Sequence, residues 1–400
     1  MPPHRALTSF LLFFSLASSA RPATVLVLQF HNNSQYSDLN WVGESIAETL
    51  MSEFGATDQI VISRASRTEG LRKLSLRSDA DFTKATLLKL GQSVDADYVC
   101  YGDYGIKLPA GVSDLKNSSI QISAEFLDLK KMHAGPAFAE AGKLSELSRL
   151  EEHLAWESLN YVNPSGNLKL DQFLKPQKLI RLDAEESYIR GLMSNNPDQQ
   201  QKWFTQAILI EPHFTGAAFE LGKLELDRKK YSQAIQWFDH ISPDDPAYIE
   251  ARFKMGISAY SMGDYSTAAN YFRDVLKAVP LSEVYNNLGA CEFQLNQPAA
   301  LEDFRHALEG NGTDTTYLFN TAAALLKNNK PDEALQRLHA LLDRNPNDKE
   351  ARSLLPRAGN AGSSAGTTPK PFPPLRLKNS FNMTAFRQLK AMLQAKGGTE

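Results

Sequence analysis

The sequence predicts an α+β multidomain protein: an amino-terminal α/β domain with a mixed sheet, an all-α solenoid, and a flexible carboxy-terminal tail. Three observations carry that reading. Strand-like runs alternate with amphipathic helical runs over residues 24–162. Small, aromatic and proline residues recur at a fixed interval across residues 180–355. A Gly, Ser, Thr and Pro-rich stretch from Gly359 to Pro374 then breaks the periodicity. The 400 residues exceed what one core holds, and the 42% hydrophobic fraction supplies more than one. Lys plus Arg (43) nearly cancel Asp plus Glu (46), which excludes a global basic field for nucleic acid or anionic lipid.

Residues 1–20 read as a signal peptide. Arg5 stands in a short polar start, Ala6 to Leu16 form an apolar run too short to span a bilayer, and Ser18-Ser19-Ala20 make a small-residue cleavage site. Cleavage is expected after Ala20, giving a periplasmic or secreted product. Cys100 and Cys291 fall in different predicted domains and read as small buried hydrophobes rather than a disulfide.

In the first domain, Thr24 to Phe30 is a β-branched, apolar strand, followed by a polar turn at His31 to Ser34. Trp41, Ile46, Leu50 and Phe54 space a helix that Gly55 ends. Gln59 to Ser63 is a second strand, and Phe82, Leu87, Leu88 and Leu90 mark a second helix. Tyr98 to Tyr101 is a third strand. Ile120 to Leu129 and Ala137 to Leu144 follow as a hairpin joined through Lys130 to Gly135, and a helix from Ser145 to Tyr161 closes the unit.

The stretches Val25 to Ser34, Val42 to Leu50, Val61 to Arg64, Leu90 to Gly102 and Ala124 to Leu129 occur in that order. They resemble the amino-terminal domain shared by TolB-type proteins and by flagellar and curli outer-membrane assembly proteins. Gln29 stands where that pattern usually has Pro, and Gly102-Asp103 where it has Gly-Ser. The resemblance implies binding work in a bacterial envelope.

Across the solenoid, Gly222, Ala234, Phe238 and Pro246 are matched by Gly256, Ala268, Phe272 and Pro280, each 34 positions on. Leu288, Gly289, Ala300, Phe304 and Ala307 make a third copy, and Leu318, Ala322, Ala334, Leu338, Leu341 and Pro346 a fourth. Tyr188, Gly191, Trp203, Phe204, Ala207 and Pro212 form a shortened first unit. The pattern resembles the tetratricopeptide repeat (TPR), about four to five copies, in which a small residue lets two helices approach and an aromatic fills the gap.

The helical pattern stops at Leu355-Pro356, so residues 356–378 read as a disordered linker. Residues 379–396 then regain helical spacing with Phe386, Leu389, Met392 and Leu393 on one face. From Lys370 to Lys396 there are six basic residues and no acidic one.

Enzyme chemistry is not expected. The eight His residues show no helical metal-site pair, and no metal or cofactor is anticipated. Gly216 to Lys223 has five residues between its glycines and no Ser or Thr after the Lys, so it is not a phosphate loop. No Gly-x-Ser-x-Gly elbow occurs. The surface expected to act is the inner face of the array. Counting from the small residue of each first helix exposes Tyr188, Phe219, Lys223, Phe253, Tyr260, Asn287, Phe293, Phe319 and Asn320, an aromatic groove with amides suited to a peptide backbone. The same rings also suit core between repeats. By the TPR resemblance, carboxylate-gripping grooves use Lys and Arg with Asn, and only Lys223 fits that role. The expected function is an exported protein-binding scaffold or adaptor in envelope assembly or signalling. It takes a protein or peptide partner, and the tail helix is either docked on the array as a built-in competitor, free as a partner-binding motif, or a disordered basic tail. Two alternatives stand beside it: a small-ligand sensor on the first domain, and an accessory or cryptic hydrolase in the interdomain cleft.

Overall fold

The computed structural model describes residues 22–57, 59–108, 118–166, 169–174, 180–359, 371–382, 385–387, 389–390 and 392–393. The expected signal peptide lies outside the described residues. Strand β1 (Thr24–Val27) is buried on both faces, with Val25 and Val27 in one core and Leu26 in another. That is why it reads as a continuous apolar run. The sheet has the order β3-β1-β4-β5-β6, where β3 is Ile60–Val61, β4 Tyr98–Lys107, β5 Ser119–Asp128 and β6 His133–Lys143. The pairings β1–β3 and β1–β4 are parallel, and β4–β5–β6 are antiparallel. The expected turn at His31 holds a two-residue strand β2 (His31–Asn32) on β4.

Helices α1 (Trp41–Ala56) and α4 (Leu147–Val162) cover one face of the sheet. The other face carries α2 (Arg64–Lys73) and α3 (Lys84–Ser93). The sequence reading lacked α2, whose polar segment buries only Arg67, Gly70 and Leu71 and is started by the Ser63 cap on Ser66 N. After the short helix α5 (Leu170–Phe173) come five antiparallel helix pairs. They are α6 (Leu182–Met193) with α7 (Pro197–Ile210), α8 (Thr215–Asp227) with α9 (Tyr231–Phe238), and α10 (Tyr248–Ser261) with α11 (Tyr265–Ala278). The last two pairs are α12 (Ser282–Gln294) with α13 (Ala300–Gly310), and α14 (Thr315–Lys327) with α15 (Pro331–Leu342).

In four pairs the glycine of the first helix sits under the phenylalanine of the second. A Cβ on Gly191, Gly222, Gly256 or Gly289 would fall 2.4, 2.5, 2.7 or 2.9 Å from Phe204, Phe238, Phe272 or Phe304. The small residue is therefore a steric requirement of helix approach. Helix α16 (Lys349–Gly359) closes the array. It runs through Pro356, beyond the expected stop at residue 355, because Leu354 and Ala358 are both buried against the last pair. No helix among the described residues is long and apolar enough to cross a membrane.

The two domains share a buried layer at their boundary. Ile189 of α6 joins the core of the first domain, and Glu185 accepts hydrogen bonds from Ser45 Oγ (2.6 Å) and Ser148 Oγ (2.7 Å). Thr49 Oγ1 donates to Glu151 at 2.7 Å in the same buried layer. Burial and the neighbouring Glu185 push the Glu151 carboxyl well above its usual value.

Candidate peptide-binding groove

The first helices of the last three pairs present a surface already occupied by the chain's own tail. Residues 371–382 have no regular secondary structure, and they lie against α10, α12, α14 and α16. Asn286, Asn287 and Asn320, all fully buried, grip this segment by its backbone. Asn320 donates from Nδ2 to Arg376 O (2.7 Å) and accepts at Oδ1 from Arg376 N (3.0 Å). Asn287 does the same to Lys378, with Nδ2 to O at 2.9 Å and N to Oδ1 at 2.8 Å. Asn286 donates to Arg376 O at 3.0 Å and accepts from Asn320 at 2.8 Å, so the amides form one connected network. Alternate residues of an extended chain share one edge, and two amides one repeat apart meet positions 376 and 378.

The side chains add a second layer. Arg376 forms a fork with Asp348 at 2.7 and 2.8 Å and reaches Glu350 at 2.8 Å, while its guanidinium lies 3.8 Å over the Phe319 ring. The Arg376 hydrogen bonds hold the Asp348 carboxyl below its usual value. Lys378 Nζ sits 2.6 Å from Asp314, which also caps α14, and 4.9 Å from the Tyr317 ring. Phe372 meets Phe293 edge-on at 5.5 Å, and Leu375 is buried with Phe319 and Leu354. Phe381 meets Phe253 at 5.1 Å and Phe386 at 5.6 Å.

The nine groove residues named from sequence divide into two groups. Phe253, Phe293, Phe319, Asn287 and Asn320 line the occupied groove, and Tyr260 packs on Tyr265 at 5.0 Å, beside it. Tyr188 instead packs with Phe204 and Phe214 at 5.9 and 4.8 Å, as core of the first pair. Phe219 packs on Phe238 at 5.7 Å, and Lys223 is paired with Glu220 at 2.8 Å, which occupies its charge. On the tail, Phe386 is buried and Leu389 partly so, whereas Met392 and Leu393 are 59% and 46% exposed. Residues 371–378, expected as part of the linker, are instead seated in the groove. Their prolines already favour the extended backbone that the amides require. Asp314, Asp348 and Glu350 had been missed; the signal was an acid-free basic tail opposite acidic helix starts.

One set of three side chains among the described residues has the spacing for a cation: Glu140 on β6, with His153 and Glu157 on α4. His153 Nδ1 is hydrogen-bonded to Glu140. Two members share α4 and the third comes from β6, so no single local spacing in the sequence marks the set.

The array is a helical repeat solenoid whose groove holds an extended segment of the same chain by its backbone. The tetratricopeptide repeat family model matches residues 253–311 and 319–361, so the array is built of tetratricopeptide repeats. Such arrays are protein-interaction scaffolds, and this one fits a protein-binding adaptor. The chain is 33% identical over 101 residues to sperm-associated antigen 1 of Mus musculus and, equally, of Rattus norvegicus. The match covers 25% of this chain and 11% of each relative, so it spans about a tenth of their length. Among solved structures it is similar to YrrB, a TPR protein with an unusual peptide-binding site (15% identity, 43% of this chain, 91% of that chain, TM-score 0.39). It is also similar to pilF of Pseudomonas aeruginosa (15%, 53%, 92%, TM-score 0.38).

Proposed function

We propose that the protein is an exported, periplasmic adaptor of the bacterial envelope whose TPR groove binds an extended segment of a partner protein. The observation that carries the binding mode is the pair of amide clamps from Asn287 and Asn320 to Lys378 and Arg376. A backbone clamp reads extended geometry rather than one sequence, so it suits recognition of a peptide. Export rests on Arg5, the Ala6 to Leu16 run and Ser18-Ser19-Ala20. The envelope setting rests on the resemblance of residues 24–162 to the TolB-type and outer-membrane assembly domain.

The test is affinity capture from the native envelope with the full chain and with its Asn287→Ala/Asn320→Ala variant. A partner recovered by the first and lost by the second supports the reading. Identical partner sets would move the binding surface elsewhere. Fractionation with amino-terminal sequencing of the captured bait tests export, which an intact Met1 on a cytoplasmic product contradicts.

A further inference from the structure

The groove carries more charge information than a backbone clamp needs. Along the docked segment, acidic side chains follow one another: Asp348 and Glu350 on Arg376, Asp314 on Lys378, and Glu283 accepting from Asn382 N at 3.2 Å. Asp348 and Asp314 are largely buried, with side chains 6% and 19% exposed, so their charges are expensive to leave unmatched. The acids thus select cations at alternate positions of whatever chain lies on the asparagines. Apolar sites flank them, under Phe372 and Leu375 on one side and under Phe381 on the other.

The occupant in place has the character of a removable strap. Of its described residues only Leu375, Phe381 and Phe386 are buried. Arg357 Nη2 already donates to Pro371 O at 3.3 Å, so the two ends joined by residues 360–370 meet, and return of the strap to the groove is intramolecular. Beyond the groove the strap touches the first domain. A Cβ on Gly55 would fall 2.8 Å from Arg387 Nη2, which places the guanidinium against the last turn of α1, a turn with no basic residue of its own. A cation there faces the negative end of the helix dipole.

We infer that the groove takes a basic extended peptide of another protein, with Arg or Lys at two alternate positions between apolar anchors. Residues 371–393 are its tethered competitor, and their displacement withdraws Arg387 from α1. This rests on the peptide-binding reading above. A tethered strap acts at an effective concentration on the order of millimolar, so a partner binds weakly until it matches both the clamps and the charges.

The probe is a labelled synthetic peptide with the sequence of residues 371–393, titrated by fluorescence anisotropy against the full chain and against its R376E/K378E variant. In that variant Asp348, Glu350 and Asp314 repel the tethered strap. Binding to the variant is expected to be about tenfold or more tighter than to the unaltered chain. A peptide with glutamine in place of Arg376 and Lys378 is expected to bind the variant about tenfold or more weakly than the basic peptide. Equal binding of basic and neutral peptides overturns the basic-partner class while leaving the backbone-reading groove intact. Equal binding of the basic peptide to both chains overturns the competition. If neither peptide binds a variant that melts like the unaltered chain, the groove reading itself fails. A concentration-dependent dimer abolished by R376E/K378E assigns the groove to a second copy's tail and overturns a foreign partner. Charge exchange guards against a folding artefact: an Asp314→Lys chain should prefer the peptide carrying Glu in place of Lys378, and no such preference overturns the charge reading.

Discussion

Replacing Glu48 by glutamine is expected to stabilise the protein at neutral pH and leave it nearly unchanged at pH 4. Glu48 lies on α1, facing α2, in a group with Glu44, Arg64 and Arg67. Arg64 Nη2 binds Glu44 at 2.7 Å, and Arg67 donates to the same Glu44 oxygen and to Val27 O at 3.2 Å. Glu48 is left with a buried Oε1 that has no hydrogen bond and stands 3.6 Å from Arg64 Nε. Burial raises its pKa from 4.5 to about 7, with Arg64 opposing and the Glu44 charge adding to the rise.

A carboxyl raised in the folded state contributes stability below pH 4.5 that is lost as pH climbs through about 7. The interval corresponds to on the order of 3 kcal/mol. Glutamine keeps the shape of the protonated acid and never ionises. Urea unfolding followed by tryptophan fluorescence, with Trp41 buried at the start of the same helix, should give matching midpoints for both proteins at pH 4. The variant should gain steadily up to pH 8. Glu151 and Glu185, whose pKa values burial also raises, titrate in both proteins and cancel in the difference. A difference that does not grow with pH, or a variant weaker at pH 8, would refute the argument.

Three further outcomes are expected. Phe272→Ala empties the space over Gly256 in the middle pair and should cost about 3–5 kcal/mol by chemical denaturation. Asn320→Ala removes both backbone bonds to Arg376 and a bond to Asn286, so amide exchange over residues 371–382 should quicken by about tenfold or more while α6 to α9 keep their protection. A fragment of residues 24–162 should expose the face that Ile189 and Glu185 cover and unfold more readily than a fragment of residues 22–193; equal melting temperatures would contradict the shared core.

The repeats were legible because their chemistry is steric and local. A glycine under a phenylalanine is required wherever two helices approach to the distances found at Gly222 and Gly256, so the requirement recurs at the repeat interval and shows in composition. Asn287 and Asn320 were legible for the same reason, since a repeat fixes which face a position shares. Tyr188 and Phe219 shared that numbering and still pack inward, because ring burial depends on the neighbouring pair, which position alone does not specify. The seated strap was hidden for the opposite reason. An extended segment bound by its backbone leaves no periodic side-chain pattern, and the proline content that suits it to the groove is also the composition of a linker. Helical spacing drew attention to Met392 and Leu393, which are largely exposed, and away from Leu375, Arg376 and Lys378, which make the contacts.

The same geometry explains how one segment can be both well seated and replaceable. A core segment is held by apolar area that no solvent can substitute, so its removal leaves a cavity. The strap is held mainly by amides, carboxylates and ring faces that water satisfies once the strap leaves. Its exchange for another basic chain therefore replaces equivalent bonds, and the balance turns on tethering and on the apolar anchors at Leu375, Phe381 and Phe386. Leu375 sits in the cluster of the last two pairs and α16, whereas Phe381 and Phe386 sit with α10 to α12. A competitor that covers only the clamps and the charged stretch can displace the first anchor while the other two remain engaged.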